Sequence, residues 1–382
     1  MISRSTVLTT EARERALLLA VTSKGKKERE SAEDSINELA RLTSAAGAQV
    51  AGKIVQQLTV PSNPYYVGKG KLEELLALKE SVNYSTLILD DELSPAQQRN
   101  LEEALGVKVI DRAALILDIF TRRARTHEGR LQVELAQYQY LLPRLAGQWR
   151  HLERLGGGIG TRGPGETQIE TDRRLIGRKI QRLKRQTDEI RKHRQRYRQK
   201  RQKNRVPVVA LVGYTSSGKS TLLNAMCRAK VLADNRLFAT LDPTTRRLTL
   251  PNRNVVLMTD TVGFIRKLPP MIIDAFRATL EELSEAALLV HVVDFASPDA
   301  PQQCQTVEDI LADLDLTDKP RITALNKIDS LLDSNRTWDE KSALDYFTSQ
   351  KISVEENVVH ISAEKGWGLD SLAEKIAANI AG

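Results

Sequence analysis

The sequence predicts an α/β protein in which two domains of alternating strands and helices are joined by a helical connector. Three observations support this class. Apolar runs of strand length alternate with helical patterns up to about residue 125 and again after residue 206. A glycine-rich loop consensus directly follows an apolar run near the middle of the chain, and a strongly basic helical stretch precedes it. With 382 residues, the chain is also too long for one ordinary domain.

Composition excludes several classes of protein. Hydrophobic residues at 41% and charged residues at 28% are typical of a soluble chain with a packed core. No run approaches the ~20 apolar residues that span a bilayer, and the N-terminus has no signal-peptide pattern. Two cysteines, Cys227 and Cys304, cannot form a metal site alone and indicate a reducing compartment. We expect a cytoplasmic monomer that is not secreted, not membrane-spanning and not zinc-dependent.

The first predicted domain, residues 1–125, is a small parallel α/β domain. Its strands are expected at 16–21, 50–59, 86–89 and 107–110. Its helices are expected at 31–46, 71–81 and 95–105. Ser94 and Pro95 are typical of a helix start, as a capping residue followed by a proline at the first helical position. Because strands and helices alternate, the sheet is expected to be parallel.

The second predicted domain, residues 126–205, is an antiparallel helical hairpin. A helical pattern over 128–154, interrupted by Pro143, is followed by a glycine-rich loop at 156–165. A second long helix is expected from Glu166, which places the loop at the tip of the hairpin. Part of the loop matches the dinucleotide consensus GxGxxG by letter. No strand precedes it, so we predict no dinucleotide site there.

The positive charge of the chain is concentrated in the second helix of this hairpin. Residues 172–205 contain sixteen Lys and Arg residues against three acids, a net charge of +13, whereas the whole chain carries +8. Most charge runs are solvated helix faces. Here the unbalanced charges repel one another unless a counter-anion is present. The stretch therefore predicts a polyanionic partner, and we expect a nucleic acid.

The third predicted domain, residues 206–382, opens with a phosphate-binding loop. Residues 213–220 have the sequence GYTSSGKS, which fits GxxxxGK[ST] and lies between the apolar run VVALV and the helical pattern STLLNAM. Strand, loop and helix in this order aim backbone N–H groups and a helix N-terminus at phosphates. Lys219 is expected to reach the β- and γ-phosphates, and Ser220 to supply an oxygen to Mg²⁺.

The motif DTVG at 260–263 follows the apolar run VVLM. A carboxylate at Asp260, where that strand ends, can hold the Mg²⁺ shell through water. Gly263 can offer its N–H to the γ-phosphate because no Cβ keeps the chain away. The motif is weak alone, but after a phosphate-binding loop it indicates a nucleoside-triphosphate site.

The segment 237–245, with the sequence LFATLDPTT, lies between these two motifs. A threonine in this position is expected to bind Mg²⁺ and the γ-phosphate, which would make the segment a nucleotide-dependent switch. The pattern alone leaves three candidates, Thr240, Thr244 and Thr245. Turn chemistry around Pro243 accounts for the threonines that are not used.

The base is expected to be guanine. The motif NKID at 326–329 follows the apolar run ITAL. A carboxylate at Asp329 can accept from both guanine N1–H and the exocyclic amine, a pair that adenine does not offer. Asn326 can support the ring edge and the loop, and the Lys327 stem can cover the ring face. Residues 362–363, after the apolar run VVHI, are placed to offer a backbone N–H to guanine O6.

Taken together, these residues resemble the HflX family of translational GTPases. The resemblance covers about residues 15–380 and is carried by GYTSSGKST, LFATLDPTT, DTVGFI and NKID, and upstream by SPAQQRNLE, IDRAALILDIF, RARTHEGRLQVELAQ and GGGIGTRGPGETQIETDRR. It implies a P-loop NTPase G domain that binds and hydrolyses GTP with Mg²⁺. It also implies association with the large ribosomal subunit through ribosomal RNA. Family members split stalled or idle ribosomes into subunits, particularly under stress.

The resemblance selects Thr240 among the three threonines. Ser220 and Thr240 are then expected to hold the metal, and Lys219, Thr240 and Gly263 to act on the γ-phosphate. The residues expected to contact GTP or GDP are Gly213, Tyr214, Thr215, Ser216, Ser217, Gly218, Lys219, Ser220, Thr221, Phe238, Ala239, Thr240, Leu241, Asp242, Asp260, Thr261, Val262, Gly263, Asn326, Lys327, Ile328, Asp329, Ser362, Ala363 and Glu364.

The chain departs from the family pattern in two places. The family loop usually has NAGKS, whereas Ser216 and Ser217 precede Gly218 here, and small polar residues should leave the backbone cradle working. Some members carry a further domain after the G domain, and contacts made by that domain are expected to be missing from a chain that ends at Gly382.

Phe264 follows the DTVG motif, where many GTPases place a glutamine that orients water. A phenyl ring cannot do this by hydrogen bonding, so we expect slow intrinsic hydrolysis that the ribosome accelerates.

The alternative function is a GTP-regulated RNA-binding or RNA-remodelling factor in ribosome biogenesis, since the basic helix supports either function. No DNA partner is expected.

Overall fold

The computed structural model describes residues 14–22, 26–148, 164–203, 206–227, 237–238, 241–273, 283–333, 336–349 and 356–380. The chain divides into two compact units. Unit 1 comprises Met1–Ile119 and Pro143–Gly157, and unit 2 comprises Phe120–Leu142 and Gly158–Gly382. The division into three domains at 125/126 and 205/206 stays a prediction.

Unit 1 is built around a four-stranded parallel sheet with the order β2-β1-β3-β4. This confirms the predicted parallel α/β domain. The elements in chain order are β1 (Arg15–Thr22), α1 (Lys26–Ala45), β2 (Gln49–Gln57), α2 (Lys69–Val82), β3 (Thr86–Leu89), α3 (Pro95–Leu105), β4 (Lys108–Asp111) and α4 (Arg112–Arg123), which begins in this unit.

Helix starts in unit 1 show where local sequence signals decide the structure. Ser94 caps α3 in a reciprocal capping box with Gln97, and Pro95 takes the first helical position, as predicted. Helix α1 begins at Lys26, five residues earlier than expected, because the preceding KKERE is itself a good helix-forming sequence. Helix α4 follows β4 directly and was not predicted.

Charged side chains are buried where strands β3 and β4 of unit 1 end. Arg112 is 1% exposed, forms a 2.8 Å ion pair between its Nη1 and Asp90 Oδ1, and also pairs with Glu38. Ser35 Oγ donates to Asp90 Oδ2 at 2.7 Å. Buried charges need partners of this kind because desolvation otherwise destabilises them. The cluster therefore has a structural role in unit 1.

Helices α5 (His127–Gln148) and α6 (Pro164–Lys203) pack against each other in unit 2. The residues at their interface are apolar: Leu131, Leu135, Ile180 and Leu183. Glu134 Oε1 also meets Lys179 Nζ at 2.9 Å. Nearer the start of α5, His127 shares a groove with His193 of α6. The two helices therefore run antiparallel, which confirms the predicted hairpin.

The hairpin differs from the sequence prediction at the start of α6 and within α5. Helix α6 begins at Pro164 rather than Glu166, and residues 156–163 of the predicted tip lie outside the described residues. Helix α5 continues through Pro143, where an interruption was predicted. A proline inside a helix costs about 3 kcal/mol. In unit 1, the neighbouring Arg144 side chain donates to Asp111 Oδ2 and to the Leu93 carbonyl, both at 2.9 Å.

Among the described residues of unit 2, six strands form a sheet in the order β10-β9-β8-β5-β7-β6, in which β6 alone pairs antiparallel. Its elements in chain order are β5 (Val208–Val212), α7 (Lys219–Cys227), β6 (Thr244–Thr249), β7 (Val255–Asp260), β8 (Leu288–Asp294), α8 (Ala300–Asp313), β9 (Arg321–Asn326), a 3₁₀ helix (Ile328–Leu331), α9 (Glu340–Ser349), β10 (Val358–His360) and α10 (Leu369–Ile380).

Strand β5 lies at the centre of two hydrophobic clusters. Val209 and Leu211 pack on the face covered by α7 and α10, whereas Ala210 and Val212 pack on the face that α8 covers. A strand buried on both faces is continuously apolar, which is why VVALV is so clear a strand signal. This places the loop that follows β5 on a rigid support.

Two further features concern membranes and metals. Within the described part of the chain, no helix is both long and apolar enough to cross a bilayer. Within the same residues, no group of three or more His, Cys, Asp or Glu side chains is arranged to hold a metal ion. Cys227 and Cys304 are both free thiols.

Candidate nucleotide-binding site

The predicted site residues lie where four strands of the unit 2 sheet end. Strand β5 leads into 213–220, β7 into 260–263, β9 into 326–329 and β10 into 362–364. Parallel strands end at a common edge, and in open α/β sheets ligands bind outside the carboxyl ends of the strands. The fold therefore brings the phosphate, γ-phosphate and base motifs of the sequence to one edge.

The phosphate-binding loop needs its glycines for space and for backbone conformation. Gly218 has φ +99°, and a Cβ there would lie 2.2 Å from Asn326 Nδ2. Gly213 has φ +149°, and a Cβ there would lie 2.3 Å from the Val292 carbonyl oxygen. Ser216 adopts a left-handed φ of 63°. Side chains on these glycines would clash, so the glycine spacing of the motif follows from the packing of the loop.

Lys219 is the buried cation of the loop, with 6% of its surface exposed. Its Nζ donates to the carbonyl oxygens of Gly213 at 3.1 Å and Tyr214 at 2.8 Å. Burial lowers the pKa of Lys219 to about 8, although the Asp260 carboxylate acts in the opposite direction. A buried ammonium beside backbone amides is suited to an anionic phosphate.

We expect nucleotide affinity to weaken above pH 8 because the Lys219 pKa is about 8 and phosphate binding needs the ammonium form. The Kd for GDP should rise towards tenfold per pH unit between about pH 8 and pH 9.5. Without nucleotide, the unfolded state binds the extra proton between the lowered pKa and the ordinary 10.5. The free energy of unfolding should therefore rise with pH across that window.

Fluorescence titration of GDP at several pH values measures the effect. Lys219→Arg is the control, since a guanidinium stays charged throughout this range. It should bind more weakly but with a flat pH profile. A flat profile in the wild-type protein would contradict the role assigned to the ammonium.

The Ser220 hydroxyl and the Asp260 carboxylate lie together beside the loop. Ser220 Oγ donates to Asp260 Oδ2 at 2.6 Å, and Asp260 is fully buried. Hydroxyl and carboxylate oxygens next to a phosphate position are the ligands that Mg²⁺ prefers. These two residues therefore fit the predicted metal site. Thr240, the other predicted ligand, and Ala239 lie outside the described residues.

Gly263 lies directly against the phosphate-binding loop. A Cβ on it would come within 2.7 Å of Thr215 Cα and 3.1 Å of Lys219 Nζ. The next residue, Phe264, pairs with Tyr214: its N–H donates to the Gly213 carbonyl at 3.1 Å, and the Thr215 N–H donates to the Phe264 carbonyl at 2.7 Å. The missing side chain of Gly263 allows this close pairing.

The Phe264 side chain belongs to the hydrophobic core. It is 2% exposed and belongs to an apolar cluster with Ala210, Val212 and Leu289. A buried ring has no group that can orient a water molecule. This agrees with the sequence argument that the residue after DTVG does not act on water.

The base motif is held by contacts with its neighbours. Asn326 Nδ2 donates to the Ser217 carbonyl at 2.8 Å, so the asparagine fastens the phosphate-binding loop. Lys327 Nζ meets Asp294 Oδ2 at 2.6 Å, which fixes its stem. Asp329 lies half-buried in the 3₁₀ helix that follows. The roles predicted for Lys327 and Asp329 towards guanine stay predictions.

Residues 362–364 form a tight turn after β10. Ser362 is fully buried, and its carbonyl accepts from Gly366 N–H at 2.8 Å. The Ala363 N–H donates to Asn326 Oδ1 at 2.9 Å. One of the two amides predicted for guanine O6 therefore donates to Asn326 in this structure, and the contact of this turn with guanine stays a prediction. Asn326 thus links two site loops, a role that its sequence pattern indicated only in part.

Three contacts of the site were missed by sequence reasoning. Thr215 Oγ1 accepts from Phe238 N–H at 3.0 Å, and Tyr214 Oη accepts from Arg266 N–H at 3.0 Å. The Asp242 carboxylate, predicted to lie at the nucleotide, accepts hydrogen bonds from the backbone that precedes α5. These contacts join segments that are separated in the chain, so no local sequence pattern predicts them.

The arrangement defines the class of the protein. A phosphate-binding loop between β5 and α7, a buried Asp260 beside Ser220, and the NKID motif after β9 are the parts of a P-loop GTPase. Three family models match consecutive parts of the chain. They are described as GTP-binding GTPase N-terminal over residues 33–121, GTP-binding GTPase Middle Region over 123–201 and 50S ribosome-binding GTPase over 208–327.

The relatives identify the family. GTPase HflX of Caldanaerobacter subterraneus subsp. tengcongensis is 48% identical over 364 residues, which cover 95% of this chain and 80% of the relative. GTPase HflX of Escherichia coli K12 is 42% identical over 349 residues, covering 91% and 80%. A solved structure described as an SsGBP and GDP complex has 26% identity and a TM-score of 0.50, covering 96% and 98%. The chain belongs to the HflX family of GTPases, and it binds guanine nucleotides and hydrolyses GTP.

Proposed function

We propose that this chain is a cytoplasmic, monomeric GTPase that binds the large ribosomal subunit and splits ribosomes under the control of GTP, particularly under stress. The observation that supports it most is the basic face of α6. Eight Lys and Arg side chains between 173 and 192 are exposed on this helix: Arg173, Arg174, Arg178, Arg182, Lys184, Arg185, Arg191 and Lys192.

Most of the positive charge on the described part of α6 is exposed. Its apolar face packs against α5, so the basic residues point away from that interface. Among the described side chains of α6, Lys179 is paired across the hairpin with Glu134. An exposed basic stripe gains free energy by releasing the counterions of a nucleic-acid backbone. Ribosomal RNA supplies such a backbone, and the family model over the G domain is described as a 50S ribosome-binding GTPase.

Hydrolysis in this proposal depends on a few groups of the chain. Lys219 would bind the β- and γ-phosphates, and the Gly263 N–H would donate to the γ-phosphate. This is supported by the buried Lys219 ammonium and by the close approach of Gly263 to Lys219 Nζ. When Mg²⁺ is bound, Ser220 and Thr240 would hold it, and Asp260 would support its shell through water. The metal neutralises charge on the phosphate oxygens. Since the Phe264 ring is buried, the chain itself has no side chain in that position to orient water. Hydrolysis is therefore slow until the ribosome binds.

Sedimentation of purified ribosomes tests the proposal. Incubation with the protein and a non-hydrolysable GTP analogue should convert whole ribosomes into subunits, whereas GDP should not. Lys219→Ala should abolish the effect, because nucleotide binding is lost. Should the protein leave ribosomes intact but bind or remodel isolated RNA, the function is that of a GTP-regulated RNA factor instead.

A charge reversal on α6 gives a second prediction. Arg182→Glu should weaken binding to large subunits about tenfold and should reduce the salt dependence of that binding. Lys341→Glu is the matched control, since it makes the same change of charge on an exposed position of α9. Equal affinities of the two variants would show that α6 is not the contact surface.

A further inference from the structure

The Asp242 carboxylate is bonded to the beginning of helix α5. Its Oδ2 accepts from the backbone N–H groups of Arg125 and Thr126, both at 2.9 Å. Its Oδ1 accepts from Thr126 Oγ1 at 2.5 Å. Thr126 Oγ1 in turn accepts from Gly129 N–H at 2.9 Å, so Thr126 caps α5. A carboxylate from a segment 116 residues away thus completes the N-terminal cap of the helix.

Gly129 provides the space for this contact. A Cβ at Gly129 would lie 2.2 Å from Asp242 Oδ1 and 3.2 Å from its Cγ. No ordinary side-chain contact is that short, so a larger residue would push the carboxylate away. Glycine is otherwise the least favourable ordinary residue in a helix, apart from proline. Gly129 therefore lowers the helix propensity of the first turn of α5 but leaves room for the Asp242 carboxylate.

The segment around Asp242 is also attached to the nucleotide site. Leu241 is 2% exposed, and Phe238 N–H donates to Thr215 Oγ1 of the phosphate-binding loop at 3.0 Å. The Phe238 ring meets the Phe120 ring edge-on, with centroids 4.8 Å apart. Phe238 and Asp242 flank the sequence position of the predicted switch threonine, Thr240. The same segment thus contacts the phosphate-binding loop and the start of α5.

Helix α5 carries the contact onward to the basic helix. Two and six residues beyond Gly129, Leu131 and Leu135 pack against Ile180 and Leu183 of α6. A displacement of the first turn of α5 therefore alters the support of α6. Since packed helices shift as units rather than deform continuously, a single carboxylate at the cap can bias the whole hairpin.

We propose that Asp242 is the positioning residue through which the nucleotide site and the basic hairpin are coupled. The state of the nucleotide changes the bonds between Asp242 and the start of α5, and through α5 it changes the presentation of α6. In this way the nucleotide changes the affinity of α6 for its ligand by a certain factor. Because the two binding free energies are linked, that ligand changes the affinity for the nucleotide by the same factor. The effect on α6 rests on the proposed function, whereas the link between Asp242 and α5 does not.

Hydrogen–deuterium exchange of the full chain with GDP and with a non-hydrolysable GTP analogue tests the link. Exchange of peptides covering residues 120–135 should differ at least about fivefold between the two nucleotides in the wild-type protein. Asp242→Asn keeps the volume but replaces an acceptor oxygen with an N–H₂ group. In this variant the peptides should exchange faster with either nucleotide, and the difference between nucleotides should disappear.

Two further variants separate coupling from general destabilisation. Gly129→Ala keeps the carboxylate and favours the helix, yet it should also remove the nucleotide dependence, because its Cβ displaces Asp242. Asp339→Asn is the matched control: Asp339 accepts from Ser342 N–H at 2.8 Å at the start of α9, so its loss should affect exchange there alone. Nucleotide-independent exchange in the wild-type protein, or retained dependence in Asp242→Asn, overturns the link.

Affinity for large ribosomal subunits, measured in both nucleotide states on the same proteins, separates this link from the proposed function. Wild-type protein should bind subunits with different affinities in the two states, and Asp242→Asn should bring the ratio close to one. If the exchange difference is present but neither form binds subunits, the proposed function fails and the link stands. If subunits distinguish the nucleotides equally well in Asp242→Asn, the coupling role is wrong.

Discussion

Replacing Gly218 with alanine is expected to lower the affinity for GDP at least about 100-fold, or about 2.7 kcal/mol. Gly218 has φ +99°, where a Cβ is strained, and that Cβ would lie 2.2 Å from Asn326 Nδ2. Asn326 cannot give way freely, because the same nitrogen donates to the Ser217 carbonyl and its oxygen accepts from Ala363 N–H. The substitution therefore separates the phosphate-binding loop from the base-binding loop. Calorimetric titration with GDP measures the loss.

Gly106→Ala is the control for the backbone part of this effect. Gly106 also has a left-handed φ, +58°, but the nearest atom to its Cβ is the flexible Lys79 Nζ at 3.2 Å. It lies at the end of α3 in unit 1. This variant should lose about 1 kcal/mol of stability and keep its GDP affinity. If Gly218→Ala binds GDP within about threefold of wild type, the close contact with Asn326 does not constrain the loop.

Asp329→Asn is expected to change the base specificity of the site. A carboxylate that accepts from guanine N1–H and the exocyclic amine contributes two charge-assisted hydrogen bonds, each about 1.5–3 kcal/mol. Affinity for GDP should fall about 100-fold or more. Affinity for the xanthine nucleotide should rise, because xanthine has a carbonyl oxygen where guanine has the amine, and the asparagine amide can donate to it.

Asp345→Asn serves as the matched control for Asp329→Asn. Asp345 is exposed on α9, so the variant loses the same charge in the same unit without touching the site. Competition binding with guanine, xanthine and adenine nucleotides measures all three affinities. A loss shared equally by guanine and xanthine nucleotides would mean that Asp329 supports the loop and does not contact the base.

The sequence was most informative where one local pattern fixes both structure and chemistry. The runs TLIL and VVALV predicted β3 and β5 with their observed bounds, because strands buried on both faces are continuously apolar. The glycine consensus predicted the position of the phosphate-binding loop. A Cβ on Gly213 would lie 2.3 Å from a neighbouring atom and one on Gly218 2.2 Å, so close packing requires glycine at both positions. Ser94 and Pro95 predicted the start of α3 for a similarly local reason.

Features that depend on distant parts of the chain were not predictable in this way. Helix α5 continues through Pro143, next to Arg144, whose side-chain contacts reach residues 33 and 51 positions away. The Asp242 carboxylate accepts from Thr126, which lies 116 positions away in the sequence. The Ala363 N–H donates to Asn326, 37 positions away, a contact that the sequence pattern did not predict. In each case tertiary contacts determine the partner, and local propensity carries no information about them.

We propose that large ribosomal subunits activate this GTPase, because the Phe264 ring after DTVG is buried in the core and cannot orient water. The most direct test is GTP turnover by the purified protein at one stated salt concentration, with and without isolated large ribosomal subunits. We predict slow turnover alone and an acceleration of at least about tenfold with subunits, which Arg182→Glu should reduce. Ordinary turnover that large subunits leave unchanged would contradict the claim.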